Sequence, residues 1–218
     1  ISFTEQKKVI KTITGVVELK YKEDFMTPKN QIIVTLLTCA LISINWNQSA
    51  KKNTDMDNNS NTQEATVVKA PELRVEQWID KNGKKTTPIK LSDYNGKFKI
   101  IYCFQHWCPG CHSQGLPTLK KLVDAFQGND KIVFFAVQTV FEGAHANTYD
   151  KIAETQKKYN LEIPFGHDEG KGRSTIMEDY KTGGTPWFIF IDENDNVVFA
   201  DFHINADGAI KYFNEILN

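Results

Sequence analysis

The chain has 218 residues, 40% of them hydrophobic, and its 26 Lys plus Arg against 27 Asp plus Glu leave a net charge of −1. That length can bury one sizeable core, while so balanced a charge gives no hint of nucleic-acid or anionic-lipid binding. Four cysteines do not make a structural disulfide framework, because two of them are taken up by the motif described below.

Residues 1–25 precede Met26-Thr27-Pro28-Lys29, a more natural start, and read as an extension upstream of it. Residues 32–46 are uncharged and mostly apolar, with Lys29 before them and Lys51-Lys52 after. The run is short for a membrane-spanning helix of about 20 residues and suits the apolar region of a signal peptide, about 7 to 15. Residues 26–48 are therefore expected to be a signal peptide or membrane anchor. Leu36-Leu37-Thr38-Cys39 loosely matches a lipobox in which Cys39 would be acylated, and an uncleaved anchor fits equally. The polar residues 49–72 read as a disordered linker. The expectation is an exported protein, extracytoplasmic (periplasmic), whose globular domain spans 73–218.

Within that domain, residues 73–79 and 86–91 flank the turn Asp80-Lys81-Asn82-Gly83 and predict an entry hairpin. Residues 99–104 and 132–137 are continuous apolar runs, the pattern of strands buried on both faces. Between them, residues 112–126 carry apolar positions at helical spacing. A helix is predicted over 146–159 and a shorter one over 173–180. Strands 187–191 and 197–203, joined by Glu193-Asn194-Asp195-Asn196, form a hairpin, and a helix over 206–217 ends the chain. Strands and helices alternate before that last hairpin, so the fold class is α/β with a mixed central sheet flanked by helices.

Chemistry concentrates at Trp107-Cys108-Pro109-Gly110-Cys111, at a strand-to-helix junction. Thiols three positions apart lie on one face of a helical turn, close enough for one disulfide. The first turn carries unpaired N–H groups and the positive end of the helix dipole, which favour a thiolate at Cys108. Pro109 suits the first helical position, where its missing N–H costs nothing, and Gly110 and Cys111 still offer donors toward the sulfur. Cys111, one turn on and more buried, is placed to resolve a mixed disulfide formed at Cys108. His106 and His112 flank the pair and, when protonated, would favour the charged sulfur. Gly183-Gly184-Thr185-Pro186 precedes a strand, where a cis X-Pro bond is at home.

With both motifs in hand, residues 73–218 resemble the thioredoxin superfamily, in particular its extracytoplasmic TlpA/ResA-like branch. The resemblance implies a thioredoxin-like fold with an N-terminal hairpin added, and a thiol-disulfide oxidoreductase with Cys108 as nucleophile and Cys111 as resolver. It implies a cis peptide at Thr185-Pro186 packed on the dithiol, a substrate peptide pairing beside Thr185, and Trp107 shielding the reactive sulfur. Partners would be protein thiols and disulfides, with a membrane thiol donor or acceptor. No metal and no organic cofactor is called for, because the sulfurs carry both electrons. Two departures stand out. Tyr102 occupies the place of the buried Asp of thioredoxins, so Glu142, after the next strand, is the candidate proton acceptor. Pro117 falls six residues after Cys111 instead of five, which puts a one-residue bulge at Gly115.

Two other readings fit parts of this pattern. The segment from Pro109 to Pro117 also resembles the surroundings of a peroxiredoxin's peroxidatic cysteine, in which Cys111 would attack peroxide with Arg173 beside it. Cys108-Pro109-Gly110-Cys111-His112 matches the attachment pattern of c-type haem, with His112 as axial ligand and Met177 opposite.

Overall fold

The computed structural model describes residues 68–217. The expectations for residues 1–67, including the signal peptide or anchor, Cys39 and most of the linker, lie outside the described residues. Among the described residues, no helix is long and apolar enough to cross a membrane.

Seven strands form one mixed sheet: β1 (Gln77–Ile79), β2 (Lys85–Thr86), β3 (Phe98–Phe104), β4 (Ile132–Thr139), β5 (Phe165–Asp168), β6 (Trp187–Ile191) and β7 (Val197–Asp201). Their order is β2-β1-β5-β4-β3-β6-β7. The central β3, β4 and β5 run parallel, and β1, β6 and β7 are antiparallel to their neighbours. The helices are α1 (Leu116–Ala125), α2 (Asp150–Lys158), α3 (Thr175–Tyr180) and α4 (Ala206–Leu217).

The sheet is covered on both faces, which is why the central strands read as unbroken apolar runs. All seven residues of β3 are buried. Ile100, Tyr102 and Phe104 face a cluster with Leu116, Leu119, Leu122 and Phe213. The alternate residues Ile101 and Cys103 face another with Trp78, Phe135, Ile176 and Ile189. A strand period of two thus sorts one run into two cores. Lys99 lies in the same strand with no exposed surface, its ammonium bonded to Lys97 O at 3.0 Å and Asp195 Oδ1 at 2.5 Å. It ties the centre of the sheet to the β6–β7 turn.

Several boundaries are shorter than the sequence pattern predicts, each with a local cause. The entry hairpin pairs only Trp78 with Thr86 and Ile79 with Lys85, since Pro88 has no N–H to continue a ladder. The helix predicted from 146 begins at Asp150, because the Asn147 side chain bonds neighbouring backbone in place of a helical turn. α3 starts at Thr175, with the Ser174 hydroxyl accepting from Met177 N at 3.3 Å. Buried Asp168, at the end of β5, accepts four bonds from Ser174 Oγ, Thr175 N, Thr175 Oγ1 and Ile176 N. Asp168 therefore ends the strand and caps the next helix.

Candidate active site

β3 runs straight into the dithiol. Helical geometry begins at Pro109, with Cys108 just outside as the capping residue. Cys108 Sγ receives the N–H of Cys111 at 3.2 Å and its S–H points at Thr185 O, 3.8 Å away. The two cysteines are free thiols and differ in access: Cys108 is 8% exposed and Cys111 not at all. Proximity lets the pair close into a bridge, and the two sulfurs differ in how far solvent can reach them.

The turn that follows is wound as a π-helix over Cys111–Gly115, with Leu116 N–H donating to Cys111 O. The extra residue lies where the displaced Pro117 calls for it, and Pro117 then sits in the first turn of α1, where no N–H is needed. Tyr102 OH donates to the same Cys111 carbonyl at 3.2 Å. The Thr185-Pro186 peptide is cis, and Pro186 lies against this first stretch of helix: a Cβ built on Gly110 would sit 3.6 Å from Pro186 Cδ, and one on Gly115 only 2.9 Å from Pro186 Cβ. Trp107 stands beside the pair, 45% exposed, with its indole N–H on Gln105 Oε1 at 3.0 Å.

Glu142 is exposed, and among the described residues its carboxylate has no hydrogen-bond or ion-pair partner, so no contact joins it to either thiol. The histidines turn toward α2. His106 Nδ1 lies 3.0 Å from Thr155 Oγ1 and its Nε2 is 3.8 Å from Glu154, and burial pushes its imidazole down. His112 is held by Tyr159 OH at 2.9 Å and donates from Nε2 to His106 O at 2.5 Å. The sequence pattern gives no warning of Gln105 and Asn147, two buried amides behind the dithiol.

Burial pushes the Cys111 thiol up to about 12, and its bond with the Cys108 side chain adds to this, against the Gln105 backbone and the Thr185 side chain. Burial likewise raises Cys103 and Tyr102. Groups harder to ionise folded than unfolded contribute stability that is complete below the ordinary value and lost as pH rises through the folded one. The melting temperature of the reduced domain should therefore hold to about pH 9 and fall from there toward pH 12. Bridging Cys108 to Cys111 should remove the part of that slope due to Cys111. Melting curves across that range, with and without reductant, check both; identical slopes would contradict the assignment.

Neither alternative chemistry fits this geometry. A peroxidatic Cys111 needs an ionised, reachable sulfur, but this one is enclosed and pushed toward the neutral thiol. Arg173 is 77% exposed and lies 3.9 Å from Glu178, while Arg74 is held by Asp179 and Glu178; neither has a cysteine among its partners. Haem attachment needs both thiols and a free imidazole, whereas Cys111 is enclosed and both ring nitrogens of His112 are engaged. Among the described residues no cluster of three His, Cys, Asp or Glu is arranged to hold a metal ion.

Residues 67–212 match the model of the AhpC/TSA family. A thioredoxin-like superfamily protein of known crystal structure is 30% identical, with a TM-score of 0.61 over 69% of this chain and 97% of that one. A thiol-disulfide isomerase from Corynebacterium glutamicum is 21% identical, with a TM-score of 0.57 over 68% of this chain and 97% of that one. The thioredoxin domain of a thiol-disulfide oxidoreductase from Bacteroides vulgatus is 20% identical, with a TM-score of 0.52 over 71% and 99%. The last two share the fold. No curated protein matches the sequence.

Proposed function

The chain belongs to the AhpC/TSA family, and on that premise we propose that it is a thiol-disulfide oxidoreductase that acts on protein thiols and disulfides outside the cytoplasm. The observation that carries this reading is the pair itself: a reachable Cys108 sulfur with the Cys111 N–H 3.2 Å away, and an enclosed Cys111 one turn behind it.

In the reducing direction, the Cys108 thiolate attacks a substrate disulfide. A sulfur–sulfur bond forms to Cys108, the substrate's own bond breaks, and the departing thiolate takes up a proton. Cys111 then loses its proton and attacks the Cys108 sulfur, releasing the second substrate thiol and leaving the Cys108–Cys111 bridge. Two electrons pass to the substrate and no other redox group takes part. Because burial raises the Cys111 thiol, the second step should speed up as pH rises. A membrane thiol donor would reopen the bridge, and run backwards the same steps oxidise a dithiol. Direction follows from the reduction potential, where about 30 mV is tenfold in the exchange constant.

Equilibrating the full chain against glutathione buffers and counting free thiols tests this. Cys108 and Cys111 should titrate together as one two-electron couple, and thiols that never pair would end the reading. The N-terminal apolar stretch, residues 32–46, supports export with a membrane tether. In intact cells a membrane-impermeant thiol reagent should label Cys108; protection until lysis would place the protein inside.

A further inference from the structure

Behind the dithiol lies a buried polar chain that the exchange chemistry does not itself require. Gln105 and Asn147 are each 1% exposed and Gln138 is wholly buried. Asn147 Oδ1 accepts the His106 N–H at 2.7 Å, fixing the backbone two residues before Cys108. Asn147 Nδ2 donates to Gln105 Oε1 at 2.9 Å and to the carbonyls of Glu142 and Gly143, each at 3.1 Å. Two hydrogens thus serve three acceptors. The same Gln105 oxygen accepts the Trp107 indole N–H at 3.0 Å. Asn147 O in turn receives Gln138 Nε2 at 2.9 Å, which anchors the loop to β4.

We propose that Asn147 is a positioning residue which, through Gln105, fixes the Trp107 indole beside Cys108 and so sets the site's preference for protein disulfides over small ones. The proposal rests on the thiol-disulfide reading above. Trp107 is 45% exposed and, left free, would sample several rotamers. Three contacts remove that freedom: its N–H on Gln105, Gln105 on Asn147, and Gly143 against the indole, where a Cβ would lie 3.0 Å from Trp107 Nε1. Gly143 has φ +59, a backbone that glycine adopts at little cost. A fixed aromatic face lowers the entropy lost when a polypeptide docks on it. A small disulfide spans only the sulfur and gains little from that face.

The test compares Asn147→Ala with the parent on a protein disulfide (insulin) and a small one (hydroxyethyl disulfide), and measures acrylamide quenching of the fluorescence that Trp107→Phe abolishes. The ratio of kcat/KM for insulin to that for hydroxyethyl disulfide should fall about tenfold, mainly through KM, and Trp107 should become more quenchable. Adding Asn147→Ala to Trp107→Phe should change that ratio no further. Equal losses on both substrates, or unchanged quenching, would overturn the proposal. Trp107→Phe, at an exposed ring, covers the case in which Asn147→Ala does not fold: it should lower the same ratio, and an unchanged ratio again overturns the proposal. If the parent turns over neither substrate, the thiol-disulfide reading fails, and with it the preference; quenching then reports only whether the clamp holds.

Discussion

Cys108→Ser should leave no measurable disulfide exchange, a loss of at least about a thousandfold, whereas Cys111→Ser should complete the first half-reaction and stop there. The asymmetry follows from access and charge. Cys108 keeps 8% of its surface exposed and Cys111 none, and a serine hydroxyl at 108 is too weak an acid to attack a disulfide near neutral pH. With Cys111 replaced, nothing enclosed behind the mixed disulfide can displace the substrate. The protein should then migrate with covalently attached partners on non-reducing gels and gain their mass in the spectrometer, both reversed by dithiothreitol. If Cys111→Ser lost all exchange while Cys108→Ser trapped substrate, the roles would be exchanged. If peroxide were consumed by Cys108→Ser but not by Cys111→Ser, the peroxidatic reading would return despite the enclosure of Cys111.

Much of the site was legible because its chemistry is local in sequence. Cys108 and Cys111 lie within one turn, and the strand before them and the Gly-Gly-Thr-Pro stretch announce themselves by composition. The displaced Pro117 pointed to an irregular turn, which is the π-turn ending at Gly115. The long-range partners were not legible. Asn147 lies 42 residues from Gln105 in a loop with no periodic pattern, and the pairing of β3 with β4, which that loop follows, brings its amide onto Gln105 and the His106 N–H. Glu142 shows the converse: its position in the chain resembled that of a proton acceptor, but Asn147 takes hold of its carbonyl and the carboxylate faces water. The entry hairpin is legible, but not its short extent or the late start of α2, because single polar or proline residues outweigh an apolar pattern that runs past them.

Gly115→Ala should lower the stability of the domain by about 2 kcal/mol, and its melting temperature by about 4 to 8 °C. Two effects oppose each other. Alanine is favoured over glycine inside a helix by about 1 kcal/mol. Against this, the new Cβ would lie 2.1 Å from Tyr102 Oη and 2.9 Å from Pro186 Cβ. Tyr102 cannot step aside, because it is wholly buried, stacked on Phe104 and packed on Phe188. Overpacking against an immovable ring therefore prevails, and the strain falls on the turn that carries Cys111. Tyr102→Phe alone should cost about 1 kcal/mol for its lost hydroxyl bond, since Cys111 O retains the Leu116 N–H. The two changes share one contact, so they should not add. In the double variant the atom at 2.1 Å is gone and the nearest remaining ring carbon is at 2.8 Å. Gly115→Ala/Tyr102→Phe should thus melt above the temperature that the sum of the single losses gives. Denaturant or thermal unfolding of the four proteins measures that coupling, and strict additivity would mean that the Tyr102 hydroxyl is not what requires glycine at this position.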